Sequence, residues 1–267
     1  MLEKGKKGQL VVLNVLGLAV TLVMNTLASV LPLNGRDTGA ISDSIPNLFV
    51  PAGLTFAIWG VIYTLLIVFA MYQVMTVRKD AGEADPVVRI GYWFFLSCIA
   101  NSLWIVAWHW QFQLMSLILM LVILASLIAM HTQLRSYKGV KSTGYRFAVM
   151  LPISVYLGWI TVATVANFTS VAVVLGWGRL GLSEEFWTVL VLVVAIVLNV
   201  LAVLLKGDIG FALVGIWALY GIYLKRSGSL PVVQSVVTVA LVGMGLIALA
   251  VVYQMVAHSR KKPAKAA

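Results

Sequence analysis

Four stretches of the sequence place aromatic, amide and hydroxyl side chains at helical spacing. Within each stretch neighbouring members are three or four residues apart, so they share one side of a helix. The sets are Asn14, Gly17, Thr21 and Asn25; Thr55, Trp59, Tyr63 and Leu66; Ser97, Asn101, Trp104 and Trp108; and Tyr156, Trp159, Ala163, Asn167 and Ser170. Aromatic rings with a few amides and hydroxyls are typical of a binding site for a flat, hydrophobic ligand. The same faces also fit helix-packing seams, in which Asn side chains bond across helices, and both interpretations stay open.

Catalytic and metal-binding residues are not predicted. The nine carboxylates lie at the ends of apolar segments or in loops, whereas proton-coupled transporters usually carry ionisable groups at mid-membrane depth. His109, His131 and His258 have no partner at metal-ligand spacing. Cys98 has no base near it in the sequence and is expected to be a packing residue. We therefore expect no catalytic residue, no metal site and no required cofactor.

The elements that carry these faces are predicted membrane-spanning helices. Of the 267 residues, 61% are apolar and 10% are charged, whereas a soluble domain averages about 25% charged residues. A bilayer-crossing helix needs about 20 predominantly apolar residues. Eight segments qualify, at residues 10–33, 53–77, 90–110, 113–134, 147–177, 186–205, 209–224 and 232–257. The sequence therefore predicts an all-α, polytopic transmembrane bundle of about eight spans, in which Gly207 ends the sixth helix and Asp208 caps the seventh.

The distribution of basic residues predicts the orientation of these spans. With the N-terminus inside, fifteen of the 19 Lys and Arg residues fall on the cytoplasmic side, as the positive-inside rule requires. The four on the other side are Arg36, Arg179, Lys225 and Arg226. We expect a multi-pass protein of the inner cell membrane with both termini cytoplasmic, a retained first helix and membrane lipid as a partner. The basic residues lie at segment ends, so no nucleic-acid partner is expected.

The longest connection, residues 34–51, carries two glycines and ends in a proline-containing stretch with Pro46 and Pro51. Long loops in compact folds are often lids or binding elements. We predict a lid that orders when ligand binds, with Pro51 fixing its junction to the second helix.

Three of these stretches resemble the TspO/translocator protein family, whose members are also called tryptophan-rich sensory proteins. Residues 51–63, Pro-Ala-Gly-Leu-Thr-Phe-Ala-Ile-Trp-Gly-Val-Ile-Tyr, resemble its loop-to-second-helix signature, in which Tyr follows Trp by four residues. Asn101-Ser-Leu-Trp104 resembles its third-helix Asn-x-x-Trp, and residues 156–167 are similar to its fifth-helix run of Tyr-x-x-Trp, Ala and Asn. The sequence departs from the family pattern at three places. Ala52 and Leu54 stand where the family has a second proline and a Trp. The fifth-helix proline is Pro152, whereas the family has it next to the tyrosine that corresponds to Tyr156.

The resemblance covers residues 1–177 and implies a five-helix unit at residues 1–178, followed by three additional helices at 179–258 and a basic cytoplasmic tail at 259–267. It implies a pocket between the helices, capped by the first long loop, that accepts porphyrins, sterols and similar flat apolar molecules. A porphyrin or haem would then be a ligand, and a homodimer is an open option. The pocket positions carried over from the family are Trp59, Asn101, Trp104, Trp159, Ala163 and Asn167, and helical spacing adds Tyr63, Trp108 and Tyr156.

Three functions remain open at this point. The leading one is binding of a tetrapyrrole, sterol-like or isoprenoid-like ligand in an aromatic cavity, for sensing or transport. The second is a transporter or channel for a small uncharged solute, for which glycines such as Gly215, Gly221 and Gly243 would permit bending or simply close packing. The third is an intramembrane enzyme that degrades bound porphyrin through a Trp, which the family makes conceivable and the residue inventory does not support. Trp217 and Tyr220, three residues apart, offer a variant in which the seventh helix also reaches the cavity.

Overall fold

The fold is a set of long helices joined by short connections. The structure is a computed structural model that describes residues 2–31, 33–79, 85–139 and 141–260, and over these residues it contains no β-strand. The long helices are α1 (Leu2–Val30), α2 (Ile58–Thr76), α3 (Trp93–His109), α4 (Gln113–Ser136), α5 (Leu151–Val174), α6 (Glu184–Lys206), α7 (Ile209–Ser227) and α8 (Gln234–Arg260). The predicted all-α polytopic bundle is confirmed. Most of the predicted tail at 259–267 lies outside the described residues.

Seven helical segments of the described chain are long and apolar enough to cross a membrane, and α3, with 17 residues, is shorter. The predicted third span, 90–110, is interrupted near its start. Asp85 caps a separate short helix, Pro86–Ile90, by accepting from the Val87 N–H at 3.0 Å. Gly91 follows with φ of 52°, a left-handed value that glycine adopts without steric cost. The chain therefore turns at Gly91, and α3 begins only at Trp93.

The junction between α6 and α7 follows from two adjacent residues. Gly207 takes the left-handed conformation, φ 62°, and its N–H donates to the Val203 carbonyl at 2.8 Å, which ends α6. The Asp208 carboxylate then accepts from the Phe211 N–H at 3.3 Å and caps α7. Both predicted helix boundaries are confirmed.

The chain divides into two compact units, and the first comprises residues 1–46 and 56–176. Its five long helices contact one another in a closed cycle, in the order α1, α2, α5, α4 and α3, with α3 returning to α1. Gly17 allows α1 to approach α3 closely, since a Cβ there would lie 2.9 Å from a ring carbon of Phe95. This arrangement directs one side of each helix toward a shared interior.

The second unit comprises residues 47–55 and 177–267. In its described part α6, α7 and α8 pack against one another. A Cβ at Gly215 would collide with the Asn199 side chain, and one at Gly243 would collide with the Ile196 side chain. These glycines are therefore positions of close helix packing. The segment 47–55 belongs to this unit although it precedes α2 in the chain.

Candidate functional site: an aromatic cluster in the five-helix unit

Trp59 on α2 is the centre of a group of aromatic rings in the first unit. Its ring is stacked on Tyr63 with centroids 5.4 Å apart, and it lies 5.9 Å from Trp104 on α3. On the α5 side it meets Tyr156 and Trp159 edge-on, at 6.1 and 6.2 Å. We call the aromatic cluster the seven rings connected in this way, which are Phe56, Trp59, Tyr63, Trp104, Trp108, Tyr156 and Trp159.

A chain of hydrogen bonds supports one side of the cluster. Asn25 on α1 donates to the Asn101 side-chain carbonyl at 2.8 Å, and the Asn101 amide donates to the Tyr156 hydroxyl at 3.0 Å. All three side chains are buried. Buried amides in a membrane-spanning bundle need such partners because lipid offers none. The chain fixes the position of Tyr156, and therefore of one ring that contacts Trp59.

Asn167 supports the cluster at Trp104. Its side-chain oxygen accepts from the Trp104 indole N–H at 3.4 Å and from the Ser116 hydroxyl at 2.5 Å. Its amide nitrogen donates to the Ala163 carbonyl at 3.0 Å, so Ala163 contributes a backbone acceptor here. Ser116 on α4 was absent from the residues predicted for the site, since it is a single hydroxyl in an apolar helix without an aromatic neighbour at helical spacing.

Two buried polar atoms of the cluster have no hydrogen-bond partner in the part of the chain that the structure describes. They are the indole Nε1 of Trp159, whose side chain is only 2% exposed, and the hydroxyl of Tyr63. A buried polar group without a partner costs free energy, on the order of 1–3 kcal/mol. Indole N–H is a donor only, whereas the Tyr hydroxyl both donates and accepts. Tyr63 is stacked on Trp59 and Trp159 meets it edge-on, so both rings that carry an unpartnered group contact Trp59.

The end of the cluster at Trp108 is covered by the first half of the long loop. The Trp108 indole donates to the Thr38 carbonyl at 3.2 Å, and the Asn34 side chain donates to the His109 carbonyl at 2.9 Å. Asp37 caps the short helix Thr38–Asp43 by accepting from the Ala40 N–H. This half of the loop is therefore held on α3 in the structure.

Pro51 lies in the other half of the loop. It is buried in the segment 47–55 and belongs to the three-helix unit. Its neighbour Ala52 donates from its N–H to the Gly221 carbonyl of α7 at 3.0 Å. The backbone of the residue next to Pro51 is thus anchored to α7.

His109 and Cys98 are both buried within α3. A ring nitrogen of His109, Nδ1, lies 2.7 Å from the Ile105 carbonyl, and Cys98 is buried with a free thiol. Among the described residues there is no group of three or more His, Cys, Asp or Glu side chains that could hold a metal ion. A separate apolar groove of about 370 Å³ runs between α1 and α2 and is lined by residues such as Leu22, Ile67 and Met71.

The helices and the site define a multi-pass helical membrane protein with an aromatic interior. A family model described as TSPO-like protein matches residues 11–253, and the chain belongs to this family. The match extends beyond residue 177 and includes α6, α7 and most of α8. Neither a curated protein nor a solved structure matches the chain.

Proposed function

We propose that the protein binds a flat, hydrophobic ligand of the tetrapyrrole class in the aromatic cluster, and that binding serves sensing or transport. The observation that carries the proposal is the pair of unpartnered polar atoms, Trp159 Nε1 and Tyr63 Oη, on rings that both contact Trp59. Aromatic faces favour stacking against a planar macrocycle. A hydroxyl or carboxyl oxygen at the edge of such a ligand would accept from the two unpartnered groups.

Accessibility within the cluster supports access from the α2 side. Trp59 and Tyr63 are half-buried, whereas Trp104, Tyr156 and Trp159 are buried. The ligand would therefore first meet Trp59 and Tyr63 and displace ring contacts to reach Trp159.

Sterol-like and isoprenoid-like ligands have the same apolar character but lack an extended planar π-system, so they would gain less from stacking.

The test is titration of the purified protein with protoporphyrin, followed by quenching of tryptophan emission. Trp159→Phe and Tyr63→Phe each remove one polar group and keep an aromatic ring. Each should weaken binding about fivefold, which corresponds to the loss of one hydrogen bond of about 1 kcal/mol. Trp110→Phe is the matched control because Trp110 is exposed and lies outside the cluster. Equal affinity in the wild type and in both cluster variants would return these rings to a packing role.

The proposal includes a location in the inner cell membrane with both termini cytoplasmic. The distribution of basic residues supports this orientation, and its main exception is the pair Lys225 and Arg226. Arg226 is only 9% exposed and donates to two backbone carbonyls of its own unit. Its position is therefore explained by an internal contact, which reduces its weight as an orientation signal.

The alternative is a transporter or channel for a small uncharged solute, which the number of spans and the glycines of α7 and α8 support. Gly215, Gly221 and Gly243 each lie against a neighbouring side chain that a Cβ would strike. Close packing explains these three glycines, and bending of the helices is not needed to account for them.

A further inference from the structure

The second half of the long loop is fastened to the three-helix unit by hydrogen bonds from several sides. Arg226 on α7 donates from one guanidinium nitrogen to the Asn47 carbonyl at 3.1 Å and to the Val50 carbonyl at 3.2 Å. The Leu48 N–H donates to the Glu184 carboxylate at 2.7 Å. Both contacts involve a charged group, and such hydrogen bonds are stronger than neutral ones.

The end of the segment is fixed by α7 as well. Trp217 donates from its indole to the Thr55 carbonyl at 2.9 Å, and the Ala52 N–H donates to the Gly221 carbonyl at 3.0 Å. Thr55 is buried and packs directly over Gly221, where a Cβ would collide with its side chain. Trp217, considered above as a cavity residue, has its polar atom engaged by this segment.

The segment leads directly into the aromatic cluster along the chain. Phe56 follows Thr55, and its ring meets Trp159 edge-on at 5.9 Å. Trp59, the centre of the cluster, is four residues beyond Thr55. A segment whose last residue is held in place limits the positions that the next few residues can take.

We infer that α6 and α7 act as a clamp on residues 47–55, with Arg226, Glu184, Trp217 and Gly221 as positioning residues for the ligand site. The clamp touches no ligand. It holds the residues before Phe56 in place without ligand, so that Phe56 and Trp59 are pre-organised for binding. This inference rests on the proposed function of the aromatic cluster. It also changes the expectation for the loop, because its second half would be ordered before ligand binds.

Three glycine substitutions in the full-length protein separate the clamp from general helix packing. Gly221→Ala would push against Thr55, and rotation of the side chain cannot relieve the contact because Thr55 Cβ would itself lie 2.9 Å away. Gly215→Ala is on the same helix as Gly221, but it disturbs a contact with Asn199 of α6 and none with the loop segment. Gly245→Ala on α8 meets nothing within 4 Å and is the neutral control.

The first measurement is hydrogen exchange of residues 47–55 without ligand. Gly221→Ala should speed exchange about tenfold or more, because hydrogen bonds of the segment are lost, while Gly215→Ala and Gly245→Ala leave it close to the wild-type rate. The double variant Gly221→Ala with Thr55→Gly removes the colliding side chain and should restore protection, with Thr55→Gly alone as the reference. No change in Gly221→Ala, or an equal rise in Gly215→Ala, would show that the clamp assignment is wrong.

The second measurement is protoporphyrin affinity by tryptophan quenching in the same variants. Gly221→Ala should bind at least about threefold more weakly because pre-organisation is lost, and the double variant should regain affinity. Unchanged affinity in a Gly221→Ala protein with a loosened segment would overturn the coupling and leave the proposed function standing. Absence of binding in the wild type would overturn the proposed function, and with it the role of the clamp in binding, while exchange would still decide whether the segment is clamped.

Discussion

The ammonium nitrogen of Lys7 lies 2.5 Å from a carboxylate oxygen of Asp85, and both side chains are almost fully buried. Lys7 also donates to the carbonyls of Thr76 at 2.8 Å and Lys79 at 2.6 Å. Asp85 at the same time caps the short helix that precedes α3. One ion pair thus connects the start of α1, the end of α2 and the approach to α3.

Removing Lys7 should therefore destabilise the five-helix unit. Lys7→Met leaves a buried carboxylate without its cation, a change that typically costs about 3–5 kcal/mol. The midpoint of thermal or SDS unfolding of the purified protein would measure the loss. Lys6→Met is the matched control, since Lys6 is exposed and its removal should change stability little. Equal midpoints for the two variants would contradict a stabilising role for the ion pair.

Tyr156→Phe should destabilise the protein through the partner that it leaves behind. The Asn101 amide would lose its acceptor at 3.0 Å and remain buried, which costs about 1–3 kcal/mol. Unfolding free energies of Tyr156→Phe and of Tyr92→Phe, an exposed tyrosine, provide the comparison. If both variants unfold like the wild type, the chain from Asn25 to Tyr156 does not contribute to stability.

Lys141, in the connection between α4 and α5, should be unusually reactive toward amine reagents. Burial of its ammonium group, together with the nearby charges of Arg135, Arg146 and Arg89, lowers the pKa of Lys141. A lowered pKa means that a larger fraction of Lys141 is neutral, and therefore nucleophilic, than of an ordinary lysine at the same pH between neutrality and pH 10. Acetylation should consequently begin at a lower pH for Lys141, as read by peptide mass spectrometry.

The matched variant for Lys141 is Arg146→Gln, which removes one of the repelling charges. The pKa of Lys141 should rise, and its acetylation at a fixed pH should slow. A rate that is unchanged in Arg146→Gln would mean that this arginine does not act on Lys141.

Cysteine labelling of sealed cells tests the proposed orientation. In a Cys98→Ala background, Ala40→Cys lies in the loop after α1 and Thr143→Cys lies before α5, and both positions are exposed. An impermeant maleimide should label the cysteine at position 40 in intact cells and the one at position 143 only after permeabilisation. The opposite pattern would invert the topology.

Local signals in the sequence were sufficient for most of the fold. Apolar runs of adequate length gave the long helices, and Gly207 with Asp208 marked a junction because helix capping involves only neighbouring residues. The rings that meet at Trp59 were also predictable, since residues three or four apart share a helix face. Their three-dimensional arrangement required the packing order of α2, α3 and α5, which helical spacing does not contain.

The clamp on residues 47–55 could not be predicted from side-chain patterns. Four of its contacts end on backbone carbonyls, at Asn47, Val50, Thr55 and Gly221, and every residue has such a group. The contacts also join positions far apart in sequence, such as Asn47 and Arg226. The basic pair at Lys225 and Arg226 was visible as an exception to the charge rule, and that exception was the available signal.

α3 has only 17 residues, so its length differs from the thickness of a typical bilayer core. At 1.5 Å per residue the helix rises about 25 Å, a few Å less than a hydrocarbon core of about 30 Å. Leu96, Ile99 and Leu103 are exposed along one side of it, so acyl chains meet the short helix directly. Local thinning of the lipid beside this face would match the short helix, at a cost of a fraction of a kcal/mol for each Å of mismatch. A thinner bilayer therefore accommodates the protein with less deformation than a thick, sterol-rich one.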